Sequence, residues 1–400
     1  MNHASYLQQI PLEIISLKRF PLSNDQSLKA WNSADEYLIS WLTDNYFSKN
    51  IELQPKEILI INDQFGALCC SLGNFEPYYW TDSFLSKTAI IKNLESNQLP
   101  TNQNHINQTT TKIPEDIQFK LVIIRVPKHN SLLKFQLETI RHHINEKTII
   151  VSAGMTKDIH KSNLSFYENI IGKTTTSLAV KKSRLIFSSV KNDFSPIEHH
   201  TKKETTTNYQ LPHHNFKSIG LPGVFSRKSL DIGSRVLLDH MPKTFVNKKL
   251  IDLGCGTGVL GTIALLQNPQ LQVTFTDESW LAIESAKQTF KTNIKEDNNI
   301  QSNQAEFYTT NVLDGLKENE YDYILCNPPF HQQNVQTLSI ANKMFKESAK
   351  KLNSNGELRV VANRHLKYRP YLEKYFSKVK VISNHPKFIV WLATKVRNDL

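Results

Sequence analysis

The sequence predicts an α/β protein: two tandem Rossmann-like domains related by duplication, each a mostly parallel twisted sheet flanked by helices. Three observations predict it. Residues 250–261 read LIDLGCGTGVLG: an apolar strand closing on Asp252, a turn carrying Gly254, Gly256 and Gly258, and a helix start. Apolar runs of strand length alternate with helix-length segments through the second half, which is the pattern of a parallel, doubly wound sheet. The first half repeats that order of elements with most of the glycines lost. At 400 residues the chain is long enough for two or three domains with substantial cores.

In the first half, residues 28–42 (LKAWNSADEYLISWL) have a helical spacing of Leu28, Trp31, Tyr37, Leu38 and Trp41. Residues 57–68 (EILIINDQFGAL) read as a buried strand, a polar turn and Gly66. A short aromatic strand at 78–80 and a helix at 83–94 follow. Residues 96–114 are rich in Asn, Gln and Thr without an apolar period, so a loop is expected. The run LVIIRV at 121–126 is a second buried strand, stopped at Pro127-Lys128. A helix over 131–144, a strand over 147–152 and a hairpin over 173–189 complete the half. The expected boundaries are a first domain at 1–190, a polar linker at 191–219 and a second domain at 220–400.

In the second half the expected elements are a strand, glycine turn and helix over 249–266, then a strand over 272–277 ending in Asp277. A helix at 279–292, strands at 306–308 and 321–325, a helix at 338–352 and a strand at 357–362 follow. A helix at 368–376 leads to strands at 380–382 and 388–392, joined by a short turn at His385-Pro386. A turn that short forces antiparallel pairing at the sheet edge. Setting Gly66 opposite Gly258 places Ile60, Asn62 and Gln64 opposite Asp252, Gly254 and Gly256. RVPK at 125–128 then stands where NPPF stands at 327–330. The first half has the layout without the chemistry.

The formal net charge is +11, which favours a polyanion, nucleic acid first, as partner. Cys69, Cys70, Cys255 and Cys326 match neither a metal site nor a disulfide framework, as expected of a reducing, cytoplasmic compartment. No metal is expected, and the His pairs form no HExxH arrangement. The N-terminus lacks the pattern of a signal peptide and no apolar run has the length of a membrane span. No GK[ST] follows the glycines, which argues against an NTPase.

The chemistry is carried by two loops at strand ends. Glycines allow positive φ and close approach of a ligand to the backbone, ahead of a helix N-terminus. Asn327-Pro328-Pro329-Phe330 leaves its strand as a stiff loop, because prolines continue neither sheet nor helix. An exocyclic nucleobase amine is a poor nucleophile, its lone pair being delocalised into the ring. The Asn327 side-chain oxygen and the Pro328 main-chain oxygen can each accept one N–H and aim that lone pair, and Phe330 can stack on the ring. The gain comes from orientation and placed acceptors. Asp277, at the next strand end, suits both hydroxyls of a ribose, or caps the following helix. Asn311 suits an adenine edge. A nucleoside without a phosphate-binding Lys points to S-adenosylmethionine.

DLGCGTG, the Asp277 strand end and NPPF resemble a class I S-adenosylmethionine-dependent methyltransferase acting on an amino nitrogen. GVFSRKSLDIGSRVLL at 223–238 resembles the lead-in of the RsmC/RlmG family of ribosomal RNA guanine-N2 methyltransferases. LKRFP, AWNSADEYL, NDQFGAL and TTTSLAVKKSRL in the first half, and NPPFHQQ and VANRHLKY in the second, extend the resemblance over nearly the whole chain. It is poorest over 96–114. The resemblance implies two methyltransferase-like domains, of which only the C-terminal one binds the cofactor, and a guanine of 23S, large-subunit ribosomal RNA as substrate. It implies that Asp252, Gly254, Cys255, Gly256 and Gly258 wrap the cofactor, with Asp277 on the ribose and Asn311 on the adenine. Phe225 and Gly233 would lie over the methionine moiety, and Asn327, Pro328 and Phe330 would hold the base. Lys128, Lys181, Lys182, Arg184 and Arg364 are the expected RNA contacts. No membrane partner is expected and a monomer is compatible with the sequence. A small-subunit RNA guanine, another amino acceptor and a non-catalytic RNA-binding assembly factor are the competing readings.

Overall fold

The computed structural model describes residues 9–22, 27–49, 53–101, 105–106, 113, 116–191, 207–211, 214–245, 248–294, 299–329, 335–383 and 385–397. The chain divides into two compact units, residues 1–200 and 201–400. Unit one contains α1 (Ser33–Asn45), β1 (Ile58–Ile61), α2 (Ala67–Ser71), β2 (Tyr78–Trp80), α3 (Phe84–Ser96), β3 (Leu121–Arg125), α4 (Asn130–Ile140), β4 (Ile149–Met155), α5 (Lys161–Ile170), β5 (Thr174–Thr176) and β6 (Ser183–Ser188). Its sheet runs β2-β1-β3-β4-β6-β5, with β2, β1, β3 and β4 parallel and the last two antiparallel.

The continuous run ILII is a strand because both its faces are covered. Ile58 and Ile60 join one apolar cluster, with α1 and α2; Leu59 and Ile61 join another, with α4. Asn32 and Asp35 make a capping box that starts α1 at Ser33, later than the apolar period suggested. The helix α5 was not evident from the sequence; Asn163 holds its first turn by accepting from the His160 backbone N–H at 2.6 Å. His105, within the stretch expected to be a loop, forms an isolated parallel bridge to Tyr79.

Unit two contains β7 (Thr207–Leu211), β8 (His214–Gly220), α6 (Ile232–Leu238), β9 (Lys249–Leu253), α7 (Val259–Gln267), β10 (Gln272–Asp277), α8 (Trp280–Asn293), β11 (Ala305–Thr309), β12 (Tyr321–Cys326), α9 (Val335–Lys351), β13 (Leu352–Asn363), α10 (Arg369–Leu372), β14 (Phe376–Val381) and β15 (Phe388–Val396). The sheet runs β11-β10-β9-β12-β13-β15-β14. Strands β11 to β13 are parallel, while β15 pairs antiparallel with both β13 and β14. With β11 removed, the strand order matches that of unit one position for position.

Three elements differ from the sequence reading, the first being α6, which that reading did not contain. The stretch read as a linker contains the antiparallel hairpin β7–β8. β8 docks on α8, where Asn293 bonds both the N–H and the C=O of Lys217 and Thr289 accepts from the Ile219 N–H. Phe216 is buried in the unit-two core. The polar composition concealed an edge element whose anchor is one aromatic and a set of side chain-to-backbone bonds. The helix expected at 368–376 is only Arg369–Leu372, because Phe376 already pairs with Val396 in the sheet.

Candidate active site

The order of strands reverses between β9 and β12, and ligands of open α/β sheets sit at that switch, beyond the carboxyl ends. Leu253 is the register partner of Cys326, so the glycine turn and the Asn327 loop leave the sheet side by side. Gly254, Gly256 and Gly258 have φ of 69°, 53° and 74°, which L side chains rarely adopt. Gly258 also lets α7 approach α8, since a Cβ there would lie 2.7 Å from the Ala286 Cβ. The Gly254 and Cys255 N–H groups both donate to the Thr276 carbonyl at 2.9 Å, fastening the turn to β10.

Asp252 is fully buried at the end of β9. Its Oδ2 accepts from the Gly261 N–H at 2.9 Å, while Oδ1 has no partner among the described residues. Burial pushes this carboxyl up to about 7, offset in part by the Gly261 bond and reinforced by the nearby Asp277. A buried acid with no cationic neighbour among the described residues favours its neutral form. The Asp277 carboxylate bridges the Gly256 and Ser279 N–H groups, both at 3.0 Å; burial is again the main cause holding its carboxyl above the usual range. It therefore braces the glycine turn and the start of α8 as well as offering lone pairs. Asn311 is buried after β11, its amide N–H donating to Asp314 Oδ2 at 2.8 Å. The Cys255 thiol is buried and pushed well above its ordinary range, so it acts as a small neutral side chain and not as a nucleophile.

Asn327 emerges at the tip of β12. Its amide nitrogen donates to Ser234 Oγ at 2.7 Å and faces both Asp231 oxygens at 3.3 Å. Its oxygen is buried and unpartnered among the described residues. Gly233 sits beside it: a Cβ there would lie 3.5 Å from Asn327 Oδ1 and 3.4 Å from Phe388 Cε1. The structure thus places Gly233 against the Asn327 loop. Pro328 is buried; Phe330 lies outside the described residues. The Phe225 carbonyl lies 3.9 Å from where a Cβ on Gly256 would be, and Phe225 as a residue is 45% exposed. Asp231 and Ser234 were missed in the sequence. Their signal was D-x-x-S ahead of an apolar run, the mark of a helix N-cap, and Asp231 does cap α6.

The spare Asp252 and Asn327 oxygens, the three positive-φ glycines and the Asp277 carboxylate fit S-adenosylmethionine with an amino-bearing base opposite. Among the described residues no group of three His, Cys, Asp or Glu could hold a metal.

The expected RNA contacts are scattered. Lys128 is exposed just after β3. Lys181 and Lys182 occupy the turn before β6 with φ of 46° and 62°, and Lys181 pairs with Glu36 at 3.2 Å. Arg184 Nε is buried without a partner among the described residues. Arg364 donates to the carbonyls of His385 and Pro386 at 2.8 and 3.2 Å, so part of its fork holds a turn.

A family model described as RLMG N-terminal domain matches residues 7–192, and one described as methyltransferase small domain matches 215–392. Ribosomal RNA large subunit methyltransferase G of Psychromonas ingrahamii is 39% identical, covering 96% of this chain and 97% of its own. The protein of that name from Klebsiella pneumoniae is 38% identical, covering 97% and 98%. The chain belongs to the ribosomal RNA large subunit methyltransferase G family. The fold extends to a solved T. thermophilus 16S rRNA N2 guanine methyltransferase, RsmC, in complex with AdoMet and guanosine. That structure matches with a TM-score of 0.71 at 17% identity, covering 97% of this chain and 98% of the other. Both of the matched domain models are therefore represented here, one in each half of the chain.

Proposed function

We propose that this chain, an S-adenosylmethionine-dependent ribosomal RNA methyltransferase, methylates the exocyclic N2 of a guanine in large-subunit RNA at the Asn327 loop. The observation that carries this reading is the Asn327 carboxamide: its nitrogen is tied down and its oxygen is buried, unpartnered and placed at the switch point. An unpaired buried acceptor costs about 1–3 kcal/mol, a cost relieved when an N–H donor enters. Guanine N2 carries two such donors.

S-adenosylmethionine, when bound, supplies an electrophilic methyl on a sulfonium. Asn327 Oδ1 accepts one N2–H and the Pro328 carbonyl accepts the other, which turns the lone pair out of the ring plane. The lone pair is thereby aimed at the methyl that the bound donor would supply, and the proton that N2 gives up would pass to solvent. Asp252 and Asp277 would hold the positively charged and ribose parts of the donor. Gly254, Gly256 and Gly258 would let it lie on the backbone, and Asn311 would face the adenine. A base inside a helix must be unstacked to arrive there, or be presented already splayed.

The first half, 1–190, is assigned to RNA capture through Lys128, Lys181, Lys182 and Arg184, with the cofactor confined to the second half. What supports this is the replacement of the chemistry-bearing positions in unit one; the +11 net charge belongs to the chain as a whole and favours an RNA partner without choosing the half. The test is transfer of labelled methyl onto separated ribosomal RNAs from cells lacking the protein, followed by nucleoside analysis. Label recovered as N2-methylguanosine in 23S RNA is expected. Label in 16S RNA, or on another base, overturns the reading.

A further inference from the structure

We infer that Asp231 and Ser234 are positioning residues that set which end of the Asn327 carboxamide meets the substrate amine. The inference rests on the reading of Asn327 given above. An amide has a donor end and an acceptor end of nearly equal shape, and only the acceptor end can serve an amine. A carboxylate only accepts. Asp231, with both oxygens 3.3 Å from Asn327 Nδ2, therefore fixes the NH2 end towards itself and leaves the buried oxygen unpartnered among the described residues. Ser234 Oγ, 2.7 Å from the same nitrogen, takes the second N–H.

The clamp is itself held. Asp231 Oδ2 accepts from the Ser234 N–H at 3.1 Å as the N-cap of α6, and the Asp231 N–H donates to Ser226 Oγ at 2.8 Å. Gly233, between the two, adds no Cβ where one would come within 2.9 Å of Asp231 Oδ2.

Unit one carries the same device with a different occupant. Asn32 is the N-cap of α1 and Asp35 its third residue, and together they grip the side chain at the tip of β3. Arg125 donates to Asn32 Oδ1 at 3.1 Å and pairs with Asp35 at 3.0 Å. In both units a helix cap and the residue three positions on hold the strand-tip side chain. Only in unit two does the held group keep an acceptor.

The test is a charge swap. Asp231→Asn keeps a capping acceptor but brings its own NH2, so the carboxamide at 327 loses its fixed orientation. A fall in kcat of about tenfold to a hundredfold is expected, with KM for RNA and S-adenosylmethionine affinity within about twofold. Asn327→Asp alone sets two carboxylates against each other and falls at least as far. Combined, Asp231→Asn with Asn327→Asp restores one donor facing one acceptor, with an oxygen left for the cleft. Recovery of about tenfold over Asn327→Asp is expected, as is recovery by Ser234→Thr where Ser234→Ala loses activity. Full kcat in Asp231→Asn, or a double variant no better than Asn327→Asp, overturns the clamp. Full activity in Asn327→Ala removes instead the reading beneath it. The Ser234 pair gives the answer if either Asp231 variant fails to fold.

Discussion

The two units are the same construction put to different ends. Asn62 in unit one holds φ of 64° where Gly254 holds 69°, and Gly66 holds 93° where Gly258 holds 74°. Ser83 caps α3 as Ser279 caps α8. What changed is each position assigned to the ligand in the proposed function. The acid that grips the helix start is Asp63 in the turn, bonding the Gly66, Leu68 and Cys69 N–H groups, whereas Asp252 does it from the strand end and keeps one oxygen spare. Thr81 stands for Asp277, and Asn62 closes on Gln136 by paired amide bonds across the space beside β3. Arg125 stands for Asn327. A fold outlives its chemistry because caps and turns stabilise the backbone locally, whereas a spare acceptor stabilises nothing until a ligand arrives.

The sharpest way to break the comparison is to alter the two strand tips. Asn327→Ala is expected to lower kcat by about a hundredfold to a thousandfold while S-adenosylmethionine affinity holds, by analogy with removing one placed polar group. Titration and single-turnover assays check it. Arg125→Ala should leave the methyl-transfer step intact. It strands the buried Asp35 carboxylate, so a loss of about 3–5 kcal/mol in denaturant unfolding of unit one is expected.

The glycine turns give the next contrast. Gly258→Ala meets both positive φ and the Ala286 contact, so loss of cofactor binding with loss of stability is expected. Gly66→Ala has the same φ problem, worth about 1–3 kcal/mol, and should leave cofactor affinity unchanged in calorimetry.

Asp252 makes a pH prediction. Its folded carboxyl lies at about 7, above the ordinary 3.8, so its contribution to stability is full at low pH and is lost as pH rises towards 7. The ionised form attracts a cation, so S-adenosylmethionine affinity should tighten as pH rises through 7, and Asp252→Asn should flatten both trends. Unfolding and binding measured between pH 5 and about 8.5 decide it. The smallest effect is expected at Lys181 and Lys182. Reversing both charges should weaken RNA binding and shallow its salt slope by about 1–2. An unchanged slope would remove them from the RNA contacts.

The sequence by itself determined the tandem α/β plan, the glycine turn, the acid at the end of β10 and the NPPF loop. These depend on neighbours in the chain: apolar runs, positive φ and proline stiffness are local properties. It also exposed that unit one carries neither the G-x-G-x-G turn nor NPPF, because both are visible by their absence. The β7–β8 hairpin was hidden because its stability comes from Asn293 and Thr289, far along the chain. Tertiary structure alone decided that Asp231 and Ser234 govern Asn327, more than ninety positions away. An N-cap signature says where a helix begins, and only the packing of α6 against the tip of β12 determines which side chain that cap will hold.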